Sequence, residues 1–299
     1  MPGIPRFRHS TVRQTFEKLE AHARDLPVWS GEHYMEGHRG VFTSQGWIKR
    51  ANRLAEAALH EAEALAAMAG QTPDLEDAWR LLCLNQFHDI ITGTSITEVF
   101  DDARKDFAAI RKMTAAACEL AASALALDTP AVANVSPISG ARMACVDPET
   151  KVEGQVTEDG KLIYFNALPS YSVTDVRAAT TPETSVTCTA VDDTIVLENA
   201  FLRVVLTSDG RVKTAYDKGA EKHILREGAL GNQLIAFEDR PICWDAWDID
   251  ASYEDRPELV QGNSSLRIVE EGPLRACIEV TTQWKRSKIR QRIQLCACL

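Results

Sequence analysis

Apolar residues recur at helical spacing along the first half of the chain and at alternating spacing along the second. In WIKRANRLAEAALHEAEALAAMAG, Ile48, Ala51, Leu54, Ala55, Ala58, Ala62, Leu65 and Ala66 fall on one stripe, the pattern of an amphipathic helix. Gly70 is placed to end it, because glycine takes the left-handed backbone that a helix stop needs. TPDLEDAWRLLCLNQF predicts a second helix, with Thr72 as N-cap and Pro73 at the first helical position, where its missing N–H costs nothing. Its apolar face is Leu75, Ala78, Trp79 and Leu82. Ser95-Ile-Thr-Glu98 reads as a capping box for a third helix carrying Val99, Phe100, Ala103, Phe107 and Ile110. Short connections between three helices predict an antiparallel three-helix bundle over residues 47–128.

The period changes at DTPAVANVSP, where Pro130 and Pro137 mark a boundary. β-type runs follow: KLIYFNAL, SVTDVRA, SVTCTAV and TIVLEN. FLRVVLTSDGRVKTAYD alternates around Ser208-Asp-Gly210, and SLRIVEEGPLRACIEVTTQW around Glu271-Gly-Pro273, so two hairpins are expected. Many short strands separated by turns predict an antiparallel β-sandwich over 129–299. The expected fold class is therefore α+β and multidomain. IRQRIQLCACL still reads as strand at residue 299, which predicts a truncated sandwich.

Composition narrows the function classes. The chain has 299 residues, 45% hydrophobic and 25% charged, as an ordinary globular protein does. A net charge of −10 argues against nucleic acid as a partner, because phosphate binding needs a basic face. No apolar run reaches the roughly 18 residues of a membrane span, so no membrane partner is expected. MPGIPRFRHS lacks the apolar core of a signal peptide, and the eight cysteines include no CxxC pair. Together they predict a cytoplasmic protein with reduced thiols.

NQFHDIITGTS holds the chemistry. His88 ends a helix pattern, where an imidazolium complements the helix dipole. Asp89 at the same end is unfavourable by that argument, so it calls for a compensating partner: a metal or a polyhydroxylated ligand. Neutral imidazole is a common zinc ligand, and carboxylates accept hydrogen bonds from hydroxyls. One His and one Asp do not close a zinc site, and no HxH or HExxH completes it. Further ligands are expected from outside the chain.

LLCLNQFHDIITGTSITEVFDDA resembles the zinc-ligand segment of glycoside hydrolase family 38, the class II α-mannosidases, and most of all their bacterial and cytosolic branch. Three further segments agree in order. LPVWSGEHYMEGHRGVFTSQGWIKRANR resembles the end of the family's catalytic domain, with its G-E-x-Y-x-E-x-H-R-G pattern running into an aromatic-Thr-Ser-Gln. FLRVVLTSDGRVKTAYDK is similar to the first hairpin of its β domain, and LGNQLIAFEDRPICWDAWDID to the strand pair that returns toward the active site.

The resemblance implies roles. His88 matches a zinc ligand, and Asp89 the carboxylate that contacts hydroxyls of the mannose in the −1 subsite. His38 falls at an aromatic platform under the sugar, flanked by Arg39 and Thr43. Trp244 and Asp245, in WDAWD, fall where β-domain side chains close over the sugar. His38 and Arg39 read equally as a surface pair, and Trp244 and Trp247 as core aromatics. Asp245, set between two tryptophans, and Asp248, directly after the second, call for partners. The implied mechanism is retaining hydrolysis of terminal α-mannosides with Zn2+, or with Co2+ or another divalent ion in its place. The family's His-x-Asp pair, nucleophile and acid/base carboxylate precede the segment that begins here. Residues 1–46 are thus expected to be the remnant of a catalytic α/β domain, with no catalytic residue and no activity in the chain alone. The linkage cleaved stays open. The alternative is a non-catalytic carbohydrate-binding or assembly module. A fragment would expose apolar surface and a strand edge, and so favour a homo-oligomer.

Overall fold

The structure, a computed structural model, describes residues 3, 8–31 and 37–298, apart from the side chain of Asp25. Glu32, Tyr34 and Glu36 of the G-E-x-Y-x-E-x-H-R-G segment lie outside the described residues. The chain divides into two compact units, Met1–Gly37 and His38–Leu299.

The first unit holds helix α1 (Val12–Glu20), where the sequence reading placed no element. The Thr11 hydroxyl caps it by accepting the Gln14 N–H at 3.3 Å. None of its residues is buried.

The second unit is α+β, with helices first and antiparallel sheets after. Helix α2 (Gly46–Met68), α3 (Glu76–Asn85) and α4 (Thr97–Ala124) share one core, in which Leu59 of α2, Leu82 of α3 and Ile110 of α4 are fully enclosed. Each such side chain contributes about 1.5–3 kcal/mol by leaving water. The predicted stripe on α2 is rotated: Leu59 faces the core, while Leu54 is 54% exposed. Gly70 ends α2 as expected, at φ +69°. The Gly70 N–H reaches the Ala67 carbonyl at 3.0 Å and the Gln71 N–H the Ala66 carbonyl at 2.8 Å, the paired bonds of a Schellman stop.

Two predicted caps are corrected. Helix α3 begins at Glu76 behind Leu75, not at Pro73 behind Thr72. Leu75 is drawn into the core at 3% exposure, and that burial outweighs a cap bond of about 1 kcal/mol. Helix α4 begins behind Ile96, and no side chain caps it, so the Ser95 box does not form.

Strand β1 (Ala131–Asn134) pairs with β5 (Ser172–Asp175). Strands β2 (Gly140–Val146), β3 (Gln155–Thr157) and β4 (Gly160–Leu168) form a sheet in the order β2-β4-β3. Strands β6 (Thr187–Val191), β7 (Thr194–Glu198), β8 (Leu202–Thr207), β9 (Val212–Asp217) and β10 (Lys222–His223) follow one another in a five-stranded sheet. Strands β11 (Ile235–Phe237) and β12 (Pro257–Leu259) make a pair. Strands β13 (Asn263–Glu271), β14 (Arg275–Trp284) and β15 (Ser287–Cys296) complete the described sheets. The hairpins predicted at Ser208–Gly210 and Glu271–Pro273 are β8-β9 and β13-β14. Ile195, Leu197 and Leu206 share a hydrophobic cluster with Ala276, Ile278 and Val280, which alternate along β14. That alternation leaves Glu279 on the opposite face.

Candidate functional site

Three segments distant in sequence meet in the second unit. The first is the turn after α3. Its base is anchored by buried Asn85, whose side-chain amide donates to the Leu81 carbonyl at 2.9 Å and to Asp106 at 3.0 Å. Beyond it the helix gives way: the Ile90 and Ile91 N–H groups both turn back to the Phe87 carbonyl, at 2.8 and 3.1 Å. The Thr92 hydroxyl donates to the His88 carbonyl at 2.7 Å, and the Thr94 hydroxyl to the Asp89 carbonyl at 3.4 Å. The threonines therefore satisfy the backbone locally, leaving the side chains of His88 and Asp89 74% and 43% exposed. His88 Nε2 lies 3.5 Å from Asp89 Oδ2, and the imidazole packs on Phe87 with ring centroids 4.2 Å apart.

The second segment runs from His38 to Gln45, two residues with left-handed backbone at φ +73° and +49°. The third is Trp244–Asp248. Trp244 is left-handed at φ +60° and its carbonyl accepts the N–H groups of Trp247 and Asp248 at 2.8 and 2.9 Å. Such a conformation costs a bulky L-residue about 1–3 kcal/mol, yet it leaves the Trp244 indole 69% exposed. These two segments are stitched together. The Gly40 N–H donates to the Trp247 carbonyl at 2.9 Å, and the Ser44 hydroxyl to the Ala246 carbonyl at 2.7 Å. The His38 and Trp247 rings lie 5.2 Å apart. A Cβ on Gly40 would stand 3.0 Å from backbone atoms of Trp247 and Asp248, so a larger residue would push the two segments a few tenths of an ångström apart.

Ser44 also joins the first segment. Its carbonyl oxygen accepts the Lys49 ammonium and lies against Gly93. Partial burial lowers the Lys49 pKa from its ordinary value. Trp47 fixes the adjoining bend by donating from Nε1 to Gln45 at 2.9 Å, beneath the Arg104 guanidinium at 4.0 Å.

The structure thus brings the His38–Gln45 segment into contact with Ala246, Trp247 and Asp248, next to Trp244 and Asp245 in the chain, and sets the His88–Asp89 turn beside it through Gly93 and Ser44. Among the described residues, no hydrogen bond or ion pair joins His88 or Asp89 to His38, Arg39, Trp244 or Asp245. Nor do those residues gather three or more His, Cys, Asp or Glu side chains that could hold a metal. His88 and Asp89 offer one imidazole and one carboxylate, suitable donors that fall short of the three or four protein ligands zinc takes. Buried Arg39 Nε has no partner among the described residues. Ser44, Gly40, Gly93 and Lys49 were missed by sequence reading. Only the left-handed preference of a glycine in ITGTS gave any signal for them.

Residues 36–125 match the family model for the alpha mannosidase middle domain, and residues 197–297 that for the glycosyl hydrolases family 38 C-terminal domain. The chain belongs to glycosyl hydrolase family 38. Its His88–Asp89 turn lies in the middle-domain match, and Trp244–Asp248 in the C-terminal-domain match. This family 38 chain is 31% identical over 291 residues to alpha-mannosidase 2C1 of Homo sapiens, covering 91% of this chain and 27% of that protein. It is 29% identical over 338 residues to alpha-mannosidase G of Dictyostelium discoideum, covering 93% of this chain and 30% of that protein. The chain therefore spans less than a third of the length of these curated relatives. The crystal structure of an alpha-mannosidase from Enterococcus faecalis V583 shares the fold, with a TM-score of 0.59 at 15% identity over 94% of this chain and 44% of that one. No helix among the described residues is long and apolar enough to cross a membrane. None of the eight cysteines is in a disulfide.

Proposed function

We propose that this chain is part of a retaining, metal-dependent α-mannosidase of the cytoplasm that hydrolyses terminal α-mannosides. The observation that carries the reading is the exposed His88–Asp89 pair, held on a threonine-braced turn within a family 38 middle-domain match. In this reading residues 1–46 end the catalytic domain, 47–128 are a three-helix bundle and 129–299 a β-sandwich.

His88 contributes one imidazole ligand to zinc, and other parts of the enzyme contribute the rest. Such an ion would supply Lewis-acid stabilisation of charge at the sugar. Asp89 accepts hydrogen bonds from hydroxyls of the mannose. Trp244, exposed at the end of a strained turn, offers its ring to the sugar's C–H face. Asp245 accepts a further hydroxyl, and Arg39 donates to one. His38 is fixed against Trp247 and closes the floor. The nucleophile and acid/base carboxylates come from outside this set, so the chain alone does not turn over.

The test is made on the full-length enzyme as the cell produces it. His88→Ala is expected to lose bound zinc and nearly all release of p-nitrophenol from p-nitrophenyl α-D-mannopyranoside, at unchanged circular dichroism. Full metal content and full rate in that variant would make the assignment wrong. Sugar binding without metal or turnover in the unaltered enzyme would favour a binding module instead.

A further inference from the structure

The β part of the second unit holds a cleft of about 510 Å³ that shares no residue with the His88–Asp89 turn. Its volume falls within the range of roughly 300–1,000 Å³ found for ligand sites. Tyr164 of β4 lines it. The Tyr164 side chain packs with Leu162 and Leu274 and is only 7% exposed. No side-chain hydrogen bond occupies its hydroxyl among the described residues, and the oxygen is not among the enclosed polar atoms, so it faces the cleft free to meet a ligand. Burial raises the phenol pKa above its usual value, with the Cys298 thiol and Glu183 adding to the effect, so the group stays a neutral donor.

The walls are preformed. Gly154 presses on β4 so closely that a Cβ would stand 2.3 Å from the Leu162 carbonyl oxygen. On the opposite side the Pro273 carbonyl accepts the Val186 N–H at 2.9 Å. The Gln155 side chain holds Leu274 and Arg275 by their backbones, at 2.7 to 2.9 Å. Pro182, Pro273 and Leu274 give the cleft an apolar wall. Its charges are balanced. The exposed Glu153 carboxylate has no hydrogen-bond partner among the described residues, and the Lys161 ammonium spends one donor on the Thr150 carbonyl at 2.8 Å. That balance disfavours both anions and cations. A rigid site with one apolar wall and convergent donors and acceptors suits a hydroxylated ring.

We infer that this cleft binds a neutral saccharide unit. The C–H face of the ring lies on Pro182, Pro273 and Leu274, and its hydroxyls meet Tyr164, Glu153 and Lys161. The inference goes beyond the proposed hydrolysis and does not depend on it.

The experiment titrates the isotope-labelled chain with methyl α-D-mannopyranoside and follows backbone amide shifts. Shifts are expected at Gly154, Thr181 and Leu274, in the unaltered chain and in His88→Ala alike. Tyr164→Phe removes only the hydroxyl and should weaken binding about fivefold to tenfold, with the melting temperature unchanged. Glu153→Gln, at an exposed position, should also weaken binding. Shifts confined to residues 88–94 and 244–248, no shifts at all, or equal affinity in both variants would overturn the inference. Tighter binding of methyl β-D-glucuronide, or of methylamine, would overturn the neutral ligand class.

Discussion

Gly93 and Ser44 touch so closely that a Cβ on Gly93 would stand 2.4 Å from the Ser44 carbonyl oxygen. This contact sets the His88–Asp89 turn against the segment that is itself bonded to Trp247. Gly93 also has φ +82°, so a side chain there meets backbone strain and a clash together. Gly93→Ala should destabilise the fold by about 3 kcal/mol or more. Gly70→Ala is the control: φ is +69° but nothing lies within 4 Å of the new Cβ. It should cost about 1–2 kcal/mol. Urea denaturation of both variants separates the clash from the backbone strain, and equal losses would remove the clash from the account.

Acid should loosen the β13-β14-β15 sheet through Glu279. The register places Arg267 of β13 and Arg292 of β15 on either side of it. Arg267, Arg290 and Arg292 lie 3.0, 2.8 and 3.1 Å from its carboxylate. The Arg267 hydrogen bond foremost, with Arg292 and Arg290, holds the Glu279 pKa down to about 2 from 4.5. A carboxylate with a depressed folded pKa binds fewer protons native than unfolded. Its stabilisation is therefore complete above pH 4.5 and lost as pH falls toward 2. Glu158, bonded to Arg267 and Arg292, is shifted the same way and adds to the loss. Urea midpoints measured from pH 7 to 2.5 should fall steeply at the acid end, and Glu279→Gln should flatten that slope while lowering the midpoint at neutral pH.

Turn chemistry was legible in the sequence where it is local. Gly70, Ser208–Gly210 and Glu271–Pro273 stop or reverse the chain through their own backbone preferences, so pattern alone located them. Thr72 failed as a cap because a cap bond is small beside the burial of Leu75; the absence of the Ser95 box, behind a largely exposed Ile96, has no such explanation. Leu54 and Leu59 exchanged roles because a stripe is set by what packs on it, and no periodicity in α2 reveals the faces of α3 and α4. Helix α1 carries a local signal of its own, Thr11 before Val12, Phe16 and Leu19 at helical spacing. His88 and Asp89 stood out because a carboxylate at a helix end lacks a local reason. The Ser44–Ala246 bond spans 202 residues, and nothing near either residue announces the other. Gly40 and Gly93 matter for what they leave room for, which only the folded chain displays.

Asp89→Asn should separate sugar recognition from the metal. The Asp89 backbone carbonyl, not its carboxylate, takes the Thr94 hydroxyl, so the turn keeps its bracing. The side chain is exposed, and loss of its 3.5 Å contact with His88 should change stability by less than about 0.5 kcal/mol. The amide is a weaker acceptor than a carboxylate toward hydroxyls. On the proposed function, the full-length variant should retain its zinc and lose about tenfold or more in mannoside kcat/KM. Metal analysis beside steady-state kinetics checks both. Loss of zinc in Asp89→Asn would move Asp89 from the sugar to the metal.

Gln155 joins the β2-β4-β3 sheet to β14 through one side chain. Its Oε1 accepts the Leu274 and Arg275 N–H groups at 2.8 and 2.9 Å, and its Nε2 donates to the Arg275 carbonyl at 2.7 Å. At 8% exposure the site gives little access to water. Gln155→Ala therefore leaves three backbone groups without their partner, at about 1–3 kcal/mol for each that water cannot reach. A total loss of about 2–5 kcal/mol is expected, above the range of ordinary surface substitutions. Gln155→Glu keeps both acceptor bonds and gives up only the donor, so it should fall between the two. Hydrogen exchange locates the effect: the Leu274 and Arg275 amides should lose protection in Gln155→Ala and keep most of it in Gln155→Glu. Unchanged protection of both amides in the alanine variant would show that the sheets are joined by packing and not by this side chain.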